Sequence, residues 1–88
     1  MEIAPPTPPL RVLFFGHLPS LTGTAEHTWP HPSPPTVSQL LAELYEKWPV
    51  LAPQDASLRV AVNLAYTSRA AELPSGAEVA IMPPVQGG

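Results

Sequence analysis

The chain has 88 residues, with seven acids against four bases for a formal charge of −3, and it contains no cysteine. That length suits one domain burying roughly 60 to 65% of its unfolded surface, with no interior to spare for a large ligand cavity. Disulfides, zinc–thiolate centres and thiol nucleophiles are excluded, which agrees with a reducing compartment. The four cations, Arg11, Lys47, Arg59 and Arg69, are scattered along the chain. Without a basic cluster, the phosphate neutralisation that dominates nucleic-acid affinity is missing, and no nucleic-acid partner is expected.

Residues 1–9 hold Glu2, no base and four prolines (Pro5, Pro6, Pro8, Pro9). They read as a disordered, extended leader with no secretory signal. With no membrane-spanning apolar run, the expectation is a cytoplasmic protein that does not engage a membrane. The fourteen prolines cluster at boundaries and leave the apolar segments intact.

Residues 10–84 are expected to form the domain. Leu10 to Phe15 reads as a central strand, with Leu10, Val12 and Phe14 on one face and Arg11, Leu13 and Phe15 on the other. Gly16 to Thr24 reads as a loop, and Glu26 to His31 as a second strand. Thr36-Val37-Ser38-Gln39 is a capping box that opens a helix. Its apolar face carries Val37, Leu40, Leu41, Leu44, Tyr45 and Trp48, and Pro49 ends it. Glu43 and Lys47 are spaced for an i,i+4 ion pair on the outer face. Ala52 to Ser57 reads as a loop.

Leu58 to Leu64 alternates with period two, placing Leu58, Val60, Val62 and Leu64 together and Arg59, Ala61 and Asn63 opposite. Asn63 suits a turn, because Asn tolerates left-handed backbone and bonds nearby main chain. A short extended piece follows at Tyr66 and Thr67. Leu73-Pro74-Ser75-Gly76 reads as a type I turn into a last strand, Glu78 to Met82.

This order predicts an α+β domain, a mixed sheet of four to five strands on one main helix, which is the β-grasp arrangement. A single helix covers one sheet face. With Val12, Phe14, Val60, Val62, Val79 and Ile81 turned toward it, Leu13, Phe15, Ala61, Ala80 and Met82 remain on an open face that calls for a partner.

The most informative segment is the end, Pro83-Pro84-Val85-Gln86-Gly87-Gly88. The prolines cannot extend sheet pairing and hold the chain extended. Residues 85–88 are expected to form a flexible tail reaching about 13 Å at roughly 3.3 to 3.6 Å per residue. Its two glycines can pass through a channel that excludes any side chain. The terminal carboxylate of Gly88 is then the candidate reactive group.

Several segments together resemble the small, sulfur-carrying subunit of molybdopterin synthase, the MoaD type within the ThiS and ubiquitin-like superfamily. They are Val12-Leu13-Phe14-Phe15-Gly16, Leu21-Thr22-Gly23, Pro35-Thr36-Val37, Ala61-Val62-Asn63, Gly76-Ala77-Glu78-Val79-Ala80 and, most discriminating, the Pro-Pro-Val-X-Gly-Gly ending. Pro19-Ser20 departs from the Arg-Glu often found there, and the proline-rich leader is additional.

The resemblance implies a carrier that is inactive alone. An E1-like adenylating enzyme would use ATP to convert the Gly88 carboxylate into an acyl-adenylate, and a sulfur donor would turn it into a thiocarboxylate. The tail, Pro83, Pro84, Val85, Gln86, Gly87 and Gly88, would then enter the large subunit and give sulfur to a pterin precursor. Phe15, Tyr66 and Met82 match positions that contact the large subunit. No permanently bound cofactor is implied. Related alternatives are sulfur delivery to another pathway, of thiamine or cysteine type, and ubiquitin-like conjugation; a passive interaction module is a third.

Other constellations are weaker. His27 and His31, four apart on a strand, would stand about 13 Å apart, too far to share a metal. The serines lack a nucleophile-elbow spacing or a set of triad partners.

Overall fold

The computed structural model describes residues 9–83, so the leader (apart from Pro9) and the segment from Pro84 to Gly88 lie outside the described residues. The elements run β1 (Arg11–Phe14), α1 (Leu18–Thr22), β2 (Glu26–Thr28), α2 (Val37–Lys47), a 3-10 helix (Pro49–Ser57), β3 (Arg59–Val62), β4 (Ala65–Tyr66) and β5 (Glu78–Met82). The five strands form one sheet in the order β2-β1-β5-β3-β4. Only β1 and β5 are parallel, and they occupy the middle; the other pairings are antiparallel.

Register turns the strand alternation into two faces. Val12 pairs with Val79 and Val79 with Val62, while Phe14 pairs with Ile81 and Ile81 with Val60. These rows bury Val12, Phe14, Val60, Val79 and Ile81 against Leu40, Leu41 and Leu44 of α2, with Val62 half-buried at the margin. Trp48 closes the end of this core, its ring edge-on to Phe14 at 5.3 Å. The core among the described residues contains no buried polar or charged side chain.

The α2 capping box forms as the sequence predicts: the Gln39 N–H donates to Thr36 Oγ1 at 3.2 Å, and the Thr36 N–H donates to Gln39 Oε1 at 2.9 Å. The remaining first-turn donors are satisfied by tertiary contacts. The Val37 and Ser38 N–H groups reach the carbonyls of Ala71 and Arg69 at 3.0 and 2.9 Å, anchoring the 69–71 loop to the helix start.

Several expectations need correction. The Gly16 to Thr24 loop contains α1, which accommodates Pro19 in its first turn, buries Leu18, and ends where Gly23 takes φ 80° and donates its N–H to Pro19 O. The second strand ends at Thr28 rather than His31. Trp29 still donates its N–H to Leu10 O, and Pro30 has no N–H with which to continue.

Ala52 to Ser57 belongs to the 3-10 helix Pro49–Ser57, which buries its own Leu51. Glu43 meets the His31 ring at 2.6 Å instead of Lys47, whose ammonium stands 5.2 Å from the Trp48 ring. The turn before β5 is shifted by one residue. Ala77 donates its N–H to Pro74 O, and Gly76, at the third position with φ 73°, takes the positive φ characteristic of a type II turn.

Candidate functional site

The face away from α2 is built in cross-strand rows. One row runs Glu26, Leu13, Ala80, Ala61, Tyr66 across all five strands. The next brings Met82 beside Arg59, with Phe15 alongside because its N–H donates to Ile81 O at 3.0 Å. The row at the other end pairs Thr28, Arg11 and Glu78. Strand parity alone predicts this partition, and the register confirms it for Leu13, Ala61, Ala80 and Met82.

These rows enclose a shallow groove of about 340 Å³, lined by Phe15, Ala61, Leu64, Tyr66, Glu78, Ala80 and Met82. Phe15, Tyr66 and Met82, singled out by resemblance, therefore share one surface. Phe15 is 46% and Tyr66 72% exposed, while Met82 is half-buried. Aromatic and thioether side chains on a sheet face carry much of the contact energy when a partner covers them.

Leu64 is the residue that sequence reasoning misplaced. Alternation put it with the helix-facing set, but β3 stops at Val62, and Val62 pairs with Ala65 across a two-residue hairpin. Both hairpin residues take positive φ, 48° at Asn63 and 74° at Leu64. Such a turn favours Gly at its second position, and a branched side chain there is strained. Leu64 is 92% exposed at the groove's lip. Asn63 suits a turn, but with Leu64 in place of the Gly that such a turn favours, the sequence does not show that the chain reverses at 63–64.

Asn63 itself is structural. Its N–H donates to Glu78 O, and its side-chain oxygen accepts from the Glu78 N–H, so it stitches the hairpin to β5 instead of bonding its own loop.

The root of the tail is tightly packed. Gly16 adopts φ 61° beside Pro83, and a Cβ at Gly16 would stand 2.5 Å from Pro83 Cγ. The proline ring thus rests directly on glycine backbone as the chain leaves β5. Pro84, Val85, Gln86, Gly87 and Gly88 follow outside the described residues.

Charge frames the apolar groove. Arg11 lies 2.6 Å from Glu26 and 3.8 Å from Glu78, and its hydrogen bond holds the Glu26 carboxyl below the usual carboxylate range. Behind α2, Asp55 accepts from the Tyr45 hydroxyl and from Arg69. These hydrogen bonds lower the Asp55 pKa, while burial and Asp55 raise that of Tyr45. Arg69 also donates to the carbonyls of Asp55 and Leu58, which ties the 3-10 helix to the start of β3. This network is structural and stands away from the groove. Among the described residues no group of side chains is arranged to hold a metal, and no helix is long and apolar enough to cross a membrane.

Comparison with known proteins agrees with this geometry. The ThiS family model matches residues 12–88. A molybdopterin synthase sulfur carrier subunit from Arabidopsis thaliana is 35% identical over 79 residues, covering 90% of this chain and 82% of that protein. A protein of the same description from Caenorhabditis briggsae is 32% identical over 81 residues, covering 90% and 96%. Among solved structures, a Pyrococcus furiosus protein described as molybdopterin converting factor subunit 1 superposes with a TM-score of 0.77 at 27% identity, covering 89% of this chain and 99% of its own. With this family match along most of its length and a β-grasp sheet packed on one helix, the chain belongs to the ThiS/MoaD family.

Proposed function

We propose that this chain is the sulfur-carrier subunit of a molybdopterin synthase and that the Gly88 carboxylate carries the sulfur. The observation that supports it most strongly is the adjacency of two features on β5. The strand contributes Ala80 and Met82 to the apolar open face, and two residues after Ala80 it ends, leading through Pro83 toward Pro84-Val85-Gln86-Gly87-Gly88. A partner seated on that face would stand next to the start of the tail.

The chemistry follows from what a carboxylate lacks. It is a poor electrophile until a good leaving group is attached. An adenylating enzyme supplies one by joining a Gly88 oxygen to the α-phosphorus of ATP with loss of pyrophosphate. Sulfide-level sulfur from a donor then attacks the acyl carbon, forming the C–S bond as AMP leaves, and the resulting thiocarboxylate is a nucleophilic sulfur centre in a chain without cysteine. The side-chain carboxylates of the described residues lie on the folded body, so selectivity comes from the thinness of the Gly87-Gly88 end.

In this reading the large catalytic subunit covers Phe15, Leu64, Tyr66 and Met82 and receives the tail. The chain has no activity alone, and ATP is consumed by the adenylating partner. The test is deletion of Gly87 and Gly88 in a cell that depends on this chain for molybdenum cofactor. Cofactor production should be lost while the truncated chain keeps its fold and its affinity for the large subunit. Undiminished production would overturn the reading in favour of a passive interaction module.

A further inference from the structure

The four cations are not equivalent. Arg11 lies between Glu26 and Glu78, Arg69 is held by Asp55 at 2.9 Å, and Lys47 faces the Trp48 ring. Arg59 is exposed and has neither a carboxylate nor an aromatic partner among the described residues. Its position is the informative part. Register sets it beside Met82 on the open face, in the row shared with Phe15, at the end of the sheet where β5 gives way to Pro83.

The open face is therefore electrically polarised along the strands. Away from the tail end two carboxylates, Glu26 at the edge of the middle row and Glu78 in the far row, stand against the single guanidinium of Arg11, leaving one negative charge; at the tail end Arg59 is positive and unmatched among the described residues.

From this polarity we infer that Arg59 is a specificity-determining contact, met by a carboxylate of the large subunit beside the opening that takes the tail. The inference rests on the docking proposed above and adds the charge and position of a partner residue. Covering Phe15 and Met82 brings the partner's surface over Arg59, and a guanidinium covered without a counter-charge is costly to desolvate. A carboxylate resolves that cost with a two-pronged hydrogen bond. Opposite charges at the two ends also disfavour docking in the reversed orientation, which would carry the tail away from the channel.

Calorimetric titration of the full chain with its cognate large subunit tests this, at low and at high salt. Arg59→Glu should weaken binding by about tenfold or more at low salt, Arg59→Gln by about threefold to fivefold, and the gap between them should narrow at high salt. Lys47→Glu makes the same change in net charge on the helix side and should leave affinity within about twofold. An Arg59→Glu affinity within twofold of the parent, or an equal loss for Lys47→Glu, overturns the inference and leaves the docking face standing. Absence of any binding by the parent chain overturns the docking face itself, and this inference with it.

Discussion

At the residue scale, Leu64 is where stability and the proposed docking pull in opposite directions. A left-handed backbone costs an ordinary L-residue about 1 to 2 kcal/mol, and a side chain 92% exposed recovers almost none of that by packing. Leu64→Gly should therefore stabilise the isolated chain by about 0.5 to 1 kcal/mol after the entropy cost of glycine, seen as a higher denaturation midpoint. The same change should weaken binding to the large subunit by about tenfold, the loss expected when a covered leucine is removed from an interface. A substitution that lowers stability and leaves affinity unchanged would mean that Leu64 is neither strained nor an anchor. Tyr66 and Met82 differ from it in kind, because they sit on strands, as does Phe15, which follows β1 directly and still bonds Ile81 O, so their exposure follows from which face the helix covers.

At the element scale, the segments that local pattern could read were those whose signals are local. The capping box, the period-two alternation of β3 and β5 and the apolar stripe of α2 each placed an element within a residue or two of its observed bounds. The elements missed were those stabilised from a distance. Helix α1 has five residues and a proline, too little for any helical period to register, and it is held by Leu18 reaching the core. The 3-10 helix is secured by Arg69 and Tyr45 converging on Asp55, contacts that span 14 and 10 residues.

That network has a pH signature. Asp55 titrates lower in the folded chain than in the unfolded one, so its contribution is fully present above the unfolded carboxylate pKa and is lost as pH falls through the folded value. Asp55→Asn should cost about 1 kcal/mol at neutral pH, since the side chain is half exposed, and the difference from the parent should shrink below about pH 4. Urea denaturation at both pH values measures this. A difference that does not change with pH would remove the Asp55 charge from the account. His27 contributes in the same direction: burial lowers its pKa, so protonation below the unfolded value near 6.5 favours unfolding.

At the scale of the whole molecule, one sheet serves two surfaces. The face toward α2 is apolar throughout and holds the fold. The other has an apolar centre and a charged margin, and it ends at the strand from which the tail departs. Architecture and open face were both legible in the sequence because strand parity and a single helix determine them together. The groove's lip was not, because it depends on where the β3–β4 hairpin turns. Nor was the lack of a partner for Arg59 among the described residues, which emerges only when the other three cations are seen to have theirs.

The proposed sulfur site is the Gly88 carboxylate, so the decisive measurement is the intact mass of the full chain after incubation with ATP, its adenylating enzyme and a sulfur donor. The mass should rise by the replacement of one oxygen with sulfur, located at Gly88 by fragmentation and absent when ATP is omitted. An unchanged mass with an adenylating enzyme that demonstrably activates the chain and a donor shown to be competent, or a sulfur found elsewhere in the molecule, would contradict it.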